Sequence, residues 1–168
     1  RETLQVKSYS MSQRLRDKVA IVTGAGSSGP GWGNGKATAV LFAREGAKVF
    51  GVDINLDAAE ETREIIEREG GRFTVHQADI VDGEQVEDLV RRCIDTYGQI
   101  DILHNNVGIL DVGGPVETSE ESWDRVCDVN VKSMFLTCKF TLPHMERAGQ
   151  GAIVNISSVS GIRYLGVP

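Results

Sequence analysis

The sequence predicts an α/β protein in which helices cover both faces of a doubly wound, parallel β-sheet. Short apolar runs alternate with longer amphipathic segments, which is typical of repeated strand–helix units. The first apolar run, 19–22, leads into a glycine-rich turn, and a strong helix-forming segment begins at Lys36. Strand, glycine turn and helix in this order favour phosphate binding, because the turn presents an anion to the positive end of the helix dipole.

The elements after this first unit are short and alternate regularly. Their predicted ranges, beginning with the second strand, are 48–52, 57–69, 73–78, 82–97, 101–104, 119–145 and 152–156. Gly46 and the glycine pair 70–71 are expected to end the first two helices. Asp57 and Ser119 are the predicted N-caps of the second and last helices, and Pro143 is expected to kink or end the last one. Five strands alternating with four helices predict a parallel, doubly wound sheet.

The composition is that of one soluble globular domain. Of 168 residues, 40% are hydrophobic and 25% are charged, which is ordinary for such a domain. The net charge of −6 and the lack of a Lys/Arg cluster argue against a nucleic-acid partner. No apolar run reaches the roughly eighteen residues of a membrane span, so no membrane partner is expected. Segment 1–14 is expected to be a non-native or flexible extension, with Met11 as the natural start.

Neither the cysteines nor the histidines have the spacing of a metal site. Cys93, Cys127 and Cys138 form an odd set without a Cys-x-x-Cys pair, so free thiols and a cytoplasmic location are expected. The three histidines lie on separate predicted elements, and His104 is expected to be buried near a strand end. The sequence therefore predicts no metal.

The glycine turn and the strand after it predict a dinucleotide site. Glycine is required in such a turn because a Cβ atom would block the approach of a pyrophosphate. Asp53 follows the second strand, where a carboxylate can accept both hydroxyls of the adenosine ribose and repel a 2′-phosphate. Neither 27–28 nor 54–55 contains an Arg or Lys that could bind that phosphate. The predicted cofactor is therefore NAD rather than NADP.

Polar residues follow four successive strands of the predicted sheet. They are Asp53, Asp79, the asparagine pair 105–106 and the serine pair 157–158. Ligands of open parallel sheets bind at the carboxyl ends of the strands, so these residues indicate one shared site.

Together these motifs resemble the short-chain dehydrogenase/reductase family over about residues 15–168. The segments that carry the likeness are Thr23-Gly24-Ala25-Gly26, Gly33-Asn34-Gly35, Asp79-Ile80, Asn105-Asn106-Val107-Gly108, Asp128-Val129-Asn130-Val131 and Ile153-Val154-Asn155-Ile156-Ser157-Ser158. Val107 stands where the family usually has Ala. The resemblance implies an NAD-binding Rossmann domain over 15–168, with a Rossmann-like sheet that contains five of the family's seven strands in the order 3-2-1-4-5. The cofactor-binding residues implied by the turn and the resemblance are Gly24, Gly26, Ser27, Trp32, Gly33, Asn34, Gly35, Asp53, Ile54, Asp79, Ile80, Asn106, Val107 and Gly108.

The resemblance also implies two catalytic residues and a reaction. Ser158 would hydrogen-bond the oxygen of an alcohol or ketone substrate, and Asn130 would hold a water in a proton relay. The family's general acid/base is a Tyr, about thirteen residues after the serine, with a Lys four residues later. That Tyr would fall near position 171, beyond Pro168, so the chain is expected to be C-terminally incomplete and inactive by itself. Tyr164 is expected to be a substrate-loop or packing residue.

The glycine turn is longer than the family pattern. About three residues usually separate the first glycine from the Gly-x-Gly that opens the helix, whereas 25–32 intervene here. Trp32, within this insertion, is expected either to pack the loop as a surface wedge or to shield the pyrophosphate or contact a neighbouring subunit.

Three interpretations of function remain open at this stage. The first is an NAD(H)-dependent oxidoreductase that interconverts a secondary alcohol and a ketone by hydride transfer. The others are a non-catalytic NAD-binding or scaffold module and an inactive fragment. Relatives commonly form dimers or tetramers through the helix predicted over 119–145, so the resemblance also implies a homo-dimer or homo-tetramer.

Overall fold

A computed structural model describes residues 13–162 of the chain. The five strands of this region form one parallel sheet of order 3-2-1-4-5, which confirms the predicted fold class and strand order. Most of the predicted extension, and Tyr164 near the other end, lie outside the described residues.

The elements alternate along the chain as predicted. The strands are β1 Val19–Thr23, β2 Lys48–Asp53, β3 Arg72–Gln77, β4 Ile102–Asn105 and β5 Ala152–Asn155. The helices are α1 Asn34–Arg44, α2 Leu56–Arg68, α3 Gly83–Tyr97, α4 Glu120–Cys127 and α5 Ser133–Ala148. A π-helical turn, Asp128–Lys132, joins α4 to α5, and a short 3-10 turn, Val159–Gly161, follows β5.

The central strand β1 separates two apolar cores. All five of its residues are buried, and successive side chains of a strand point to opposite faces of the sheet. Val19 and Ile21 pack into the core under α3 and α5, whereas Val22 packs into the core under α1 and α2. Burial on both faces explains why β1 is apolar without alternation.

Helix ends follow the predicted glycines, but one predicted N-cap is wrong. Gly46 and Gly70 have φ values of +95° and +80°, which suit the residue that follows a helix. Asn55, rather than Asp57, caps α2, because its side-chain oxygen accepts a hydrogen bond of 3.3 Å from the backbone N–H of Ala58. Asp57 lies in the first turn, where its charge still favours the helix dipole.

Pro143 is expected to kink or end the last helix, and it does not end it. Pro143 lies inside α5, which continues to Ala148 and ends at Gly149, whose φ is +67°. Proline removes one backbone hydrogen bond from a helix. Thr141 and Met145 on either side of it are buried, and this tertiary packing keeps the helix continuous. The single helix predicted over 119–145 is therefore α4, the π-helical turn and α5.

Candidate functional site

One cavity of about 790 Å³ lies at the carboxyl ends of the central strands. Most of the residues predicted to bind a cofactor line it: Gly24, Gly26, Ser27, Gly33, Asn34, Gly35, Asp53, Ile54, Asp79, Ile80, Asn106, Val107 and Gly108. The sequence interpretation missed further lining residues: Ser28, Val52, Asn55, Ala78, Val81, Ile109, Arg125 and Val129. Several of these are neighbours of predicted residues, but Arg125 carries no sequence signal.

The glycine turn brings β1 into direct contact with the start of α1. Gly24 has a φ of +63°, and its carbonyl oxygen accepts a hydrogen bond of 3.4 Å from the Asn106 side chain. A Cβ atom on Gly35 would lie only 1.8 Å from that carbonyl oxygen. The N-cap residue of α1 is Gly33, which has no side chain to cap the helix, so the first N–H groups of α1 can receive an anion from the cavity.

The lengthened part of the turn is closed by Ser27. Its hydroxyl accepts a hydrogen bond of 2.8 Å from the Gly33 N–H and donates one of 3.2 Å to the Gly31 carbonyl. Trp32 does not line the cavity: 60% of it is exposed, and Lys36 Nζ lies 5.9 Å from its ring centroid. Lys36 is itself buried and forms an ion pair of 3.2 Å with Glu61. Trp32 therefore lies at the surface beside Lys36, as the surface-wedge interpretation expects.

Asp53 is fixed at the rim of the cavity by two backbone groups. Its Oδ2 accepts a hydrogen bond of 2.9 Å from the Gly26 N–H, and its Oδ1 accepts one of 2.9 Å from the Asn55 N–H. A carboxylate oxygen can accept more than one hydrogen bond, so both oxygens retain acceptor capacity toward a ligand hydroxyl.

Beyond the turn, the end of β4 is tied to its neighbours through side-chain amides. Asn105 is buried; its Nδ2 donates to the Asn155 side chain at 2.9 Å, and its Oδ1 accepts from the Thr137 hydroxyl at 2.8 Å. The next residue, Asn106, donates its backbone N–H to the Thr23 hydroxyl at 3.1 Å. These bonds join β1, β4, β5 and α5 at the edge of the sheet that borders the cavity.

The two predicted catalytic residues lie near this edge but outside the lining of the cavity. Asn130 is in the π-helical turn, where its side chain accepts a hydrogen bond of 2.8 Å from the Ile109 N–H and donates one of 2.9 Å to the Ile109 carbonyl. It thus fixes the segment after β4. Ser158 follows β5, is exposed, and its backbone oxygen accepts a hydrogen bond of 3.0 Å from the Gly161 N–H.

Three further observations on the described region concern the buried His104, metal binding and membrane-spanning helices. His104 is buried as predicted, its Nδ1 has no hydrogen-bond partner among the described residues, and burial lowers its pKa. Between residues 13 and 162, no group of His, Cys, Asp and Glu side chains could hold a metal ion. No helix in the same range is both long and apolar enough to cross a bilayer.

Comparison with known proteins identifies the family. The family model described as short chain dehydrogenase matches residues 18–167. An uncharacterised oxidoreductase of Thermotoga maritima is 42% identical over 92% of this chain and 58% of its own length. A cyclohexanol dehydrogenase of an Acinetobacter species is 39% identical over 90% of this chain and 59% of its own length.

A solved structure agrees with this assignment. The crystal structure of a protein described as a short-chain dehydrogenase/reductase, from Burkholderia xenovorans, superposes with a TM-score of 0.90. The two sequences are 49% identical, and the match covers 92% of this chain and 61% of that protein. The chain thus spans about three fifths of the length of the relatives it matches. It belongs to the short-chain dehydrogenase family.

Proposed function

We propose that the protein carrying this chain is an NAD(H)-dependent oxidoreductase that interconverts a secondary alcohol and a ketone. Membership of the short-chain dehydrogenase family supports an oxidoreductase. The likeness to a cyclohexanol dehydrogenase supports an alcohol/ketone pair as substrate. The bound nicotinamide would supply the hydride chemistry, and the protein would supply binding, orientation and proton transfer.

The position of Asp53 is the observation that best supports NAD, rather than NADP, as the cofactor. Its carboxylate lies at the rim of the cavity, fixed by the N–H groups of Gly26 and Asn55, with acceptor capacity left for ribose hydroxyls. A 2′-phosphate there would meet a like charge, and neither 27–28 nor 54–55 offers a cation to offset it.

The other lining residues divide into three groups that fit the parts of a dinucleotide. The uncapped start of α1, with Gly33 to Gly35, would hold the pyrophosphate through backbone N–H groups. Asp79 and Ile80 would lie beside the adenine ring. Residues 106–108 would border the cofactor next to the glycine turn.

The proposed catalytic roles rest on two residues beside the cavity. Ser158 would donate a hydrogen bond to the substrate oxygen, where proton transfer accompanies the movement of hydride at carbon. The side chain of Asn130 is occupied by both backbone groups of Ile109. Asn130 would therefore act through its main chain, by holding a water, and by fixing the segment that follows β4.

We further propose a homo-dimer or homo-tetramer in a reducing, cytoplasmic compartment. Val131 and Phe135, at the junction of the π-helical turn and α5, are 65% and 61% exposed, and apolar side chains of this size are costly to leave in water. These two side chains support the proposed contact between subunits.

The cysteines support the proposed reducing compartment. Cys93, Cys127 and Cys138 are all free thiols, as expected where glutathione is reduced.

Cofactor choice is tested by titrating the protein with NAD⁺ and NADP⁺ in a calorimeter. We expect NAD⁺ to bind at least about tenfold more tightly than NADP⁺. The 2′-phosphate of NADP⁺ would lie beside the like charge of Asp53 without a cation to offset it, which costs more than about 1.4 kcal/mol. Asp53→Asn keeps one acceptor oxygen but removes the charge, so it should narrow this preference. Equal affinity of the unaltered protein for both dinucleotides would contradict the choice of NAD.

Catalysis is tested with the whole protein by following absorbance at 340 nm with NAD⁺ and a panel of secondary alcohols. Ser158→Ala should lower kcat by roughly 10²–10³-fold, the scale of one lost transition-state hydrogen bond, without weakening NAD⁺ binding. Binding of NAD⁺ without turnover of any alcohol or ketone would instead identify a non-catalytic module.

A further inference from the structure

Arg125 is the one cationic side chain among the described residues that line the cavity. It lies on α4 and is exposed, and its guanidinium forms no hydrogen bond or ion pair with any residue between 13 and 162. The two acidic lining residues, Asp53 and Asp79, belong to other walls of the cavity. A free guanidinium facing a ligand cavity is available for a contact with the ligand.

The position of Arg125 along the cavity follows from the packing of its helix. Arg125 and Val129 are four residues apart, so they lie on one face, and both line the cavity. In the π-helical turn that follows, the charge of Lys132 helps to lower the pKa of the Asp82 carboxylate, which is lowered chiefly by hydrogen bonds from Gln85. One turn later, the Leu136 side chain lies 3.8 Å from where a Cβ atom on Gly83 would be.

These contacts place the π-helical turn and the start of α5 beside residues 82–83, at the start of α3. Arg125, on the helix before that turn, lines the same cavity as Asp79, Ile80 and Val81, the three residues that precede 82–83. The start of α1, with its free N–H groups, lies in the glycine turn, at another part of the lining. If the cavity holds a dinucleotide as proposed above, Arg125 would border its adenine ring.

The side chains of Ile80 and Arg125 have the chemistry that suits the two faces of an adenine ring. Ile80 is 7% exposed and offers an apolar surface. A guanidinium is planar and weakly hydrated, and it stacks on aromatic faces more readily than an ammonium group. We propose that Arg125 stacks on the face of the adenine ring that is turned away from Ile80, and so contributes to cofactor affinity. This inference rests on the proposed function.

The test measures the affinity of Arg125→Gln for NAD⁺, adenosine, AMP and nicotinamide mononucleotide, with the weak ligands determined by competition. A partly exposed cation–π contact corresponds to about a two- to fivefold change in Kd. We expect that loss for NAD⁺, AMP and adenosine alike, and no change for nicotinamide mononucleotide. Arg125→Lys should fall between the two proteins.

Lys132→Gln is the matched control. It removes a positive charge from the π-helical turn that follows α4, where Lys132 forms a 3.5 Å ion pair with Asp128, and Lys132 does not line the cavity. Its affinity for uncharged adenosine should be unchanged. Circular dichroism and urea unfolding of each variant establish that the fold is retained.

One outcome would overturn the proposal. Unchanged adenosine affinity in Arg125→Gln would do so, and if AMP were weakened at the same time, the guanidinium would instead contact a phosphate. A failure of the proposed function is distinguishable, because the unaltered protein would then either bind neither NAD⁺ nor adenosine, or bind NAD⁺ without turning over any alcohol or ketone.

Discussion

Asp101 illustrates how a single buried side chain joins segments that are distant in sequence. It is 6% exposed and lies just before β4, at the edge of the sheet opposite the cavity. Its Oδ2 accepts hydrogen bonds from the Val19 N–H at 2.8 Å and the Gln99 side chain at 2.6 Å. Its Oδ1 accepts from Lys18 at 3.5 Å and Gln150 at 3.3 Å. Asp101 therefore connects the starts of three strands.

Replacing this carboxylate should destabilise the whole fold. In Asp101→Ala the buried N–H of Val19 would lose its acceptor, and leaving such a group unsatisfied costs about 1–3 kcal/mol. We expect the free energy of unfolding in urea to fall by about 2–3 kcal/mol, and by less in Asp101→Asn, which keeps one acceptor oxygen.

Asp95→Ala provides the comparison for this experiment. The side chain of Asp95 is 64% exposed, and its partner is the equally accessible Arg91. Its removal should change the free energy of unfolding by no more than about 0.5 kcal/mol. Equal effects of the two alanine substitutions would contradict a structural role for Asp101.

At the scale of elements, the strand–turn–helix unit at the start of the chain has glycines of two kinds. Gly35 packs against the carbonyl of Gly24, with no room for a Cβ atom. Gly29, in the lengthened part of the same turn, has no atom of residues 13–162 within 4 Å of where its Cβ would be, its chain neighbours apart, and its φ is not in the left-handed region. The turn therefore depends on some of its glycines and tolerates change at others.

A pair of alanine substitutions tests this difference. Gly35→Ala forces the start of α1 away from β1, so we expect the free energy of unfolding to fall by about 1–3 kcal/mol or more. If the cofactor binds at this turn, NAD⁺ affinity should fall by more than tenfold. Gly29→Ala should leave both quantities within error of the unaltered protein. Urea denaturation measures the free energy of unfolding, and calorimetric titration measures NAD⁺ affinity. Similar losses in the two variants would contradict the close packing of Gly35 against the Gly24 carbonyl.

The connection between α4 and α5 shows what sequence periodicity conceals at this scale. Polar and apolar residues over 119–145 predict one helix, and the structure has two helices joined by the π-helical turn that contains Asn130. The widened turn lets the Asn130 side chain reach Ile109. The periodicity of the whole segment does not show this single turn, because the turn contains only five residues.

At the scale of the whole molecule, three histidines make the stability of the fold depend on pH. The pKa values of His76, His104 and His144 are all lowered, in each case chiefly because burial disfavours the charged imidazolium. Below about pH 6.5 the unfolded chain therefore binds more protons than the folded one. Their contribution to stability is complete above that pH and is lost as the pH falls toward the folded-state values.

We expect the urea midpoint to be lower at pH 5.5 than at pH 7.5. His104→Phe should reduce this difference, because it removes a buried imidazole whose Nδ1 has no partner among the described residues, beside the ring of Phe42. The two midpoints should then lie closer together than in the unaltered protein. A pH dependence unaffected by the substitution would show that His104 is not one of the groups responsible.

The sequence by itself determined the alternation of strands and helices, the order of the sheet and the edge at which the polar residues gather. Apolar runs, end-of-helix glycines and Asp53 after β2 are local signals, because they reflect the backbone geometry of a few neighbouring residues. Thirteen of the fourteen residues predicted to bind a cofactor consequently line one cavity.

Tertiary structure alone decided which side chains from distant elements complete the site. Arg125, on α4, lines the cavity, whereas Trp32 is exposed beside Lys36. The side chain of Asn130 is hydrogen-bonded to the backbone of Ile109, 21 residues earlier in the chain. Such contacts depend on how helices pack on the sheet, and a pattern of neighbouring residues contains no measure of that packing.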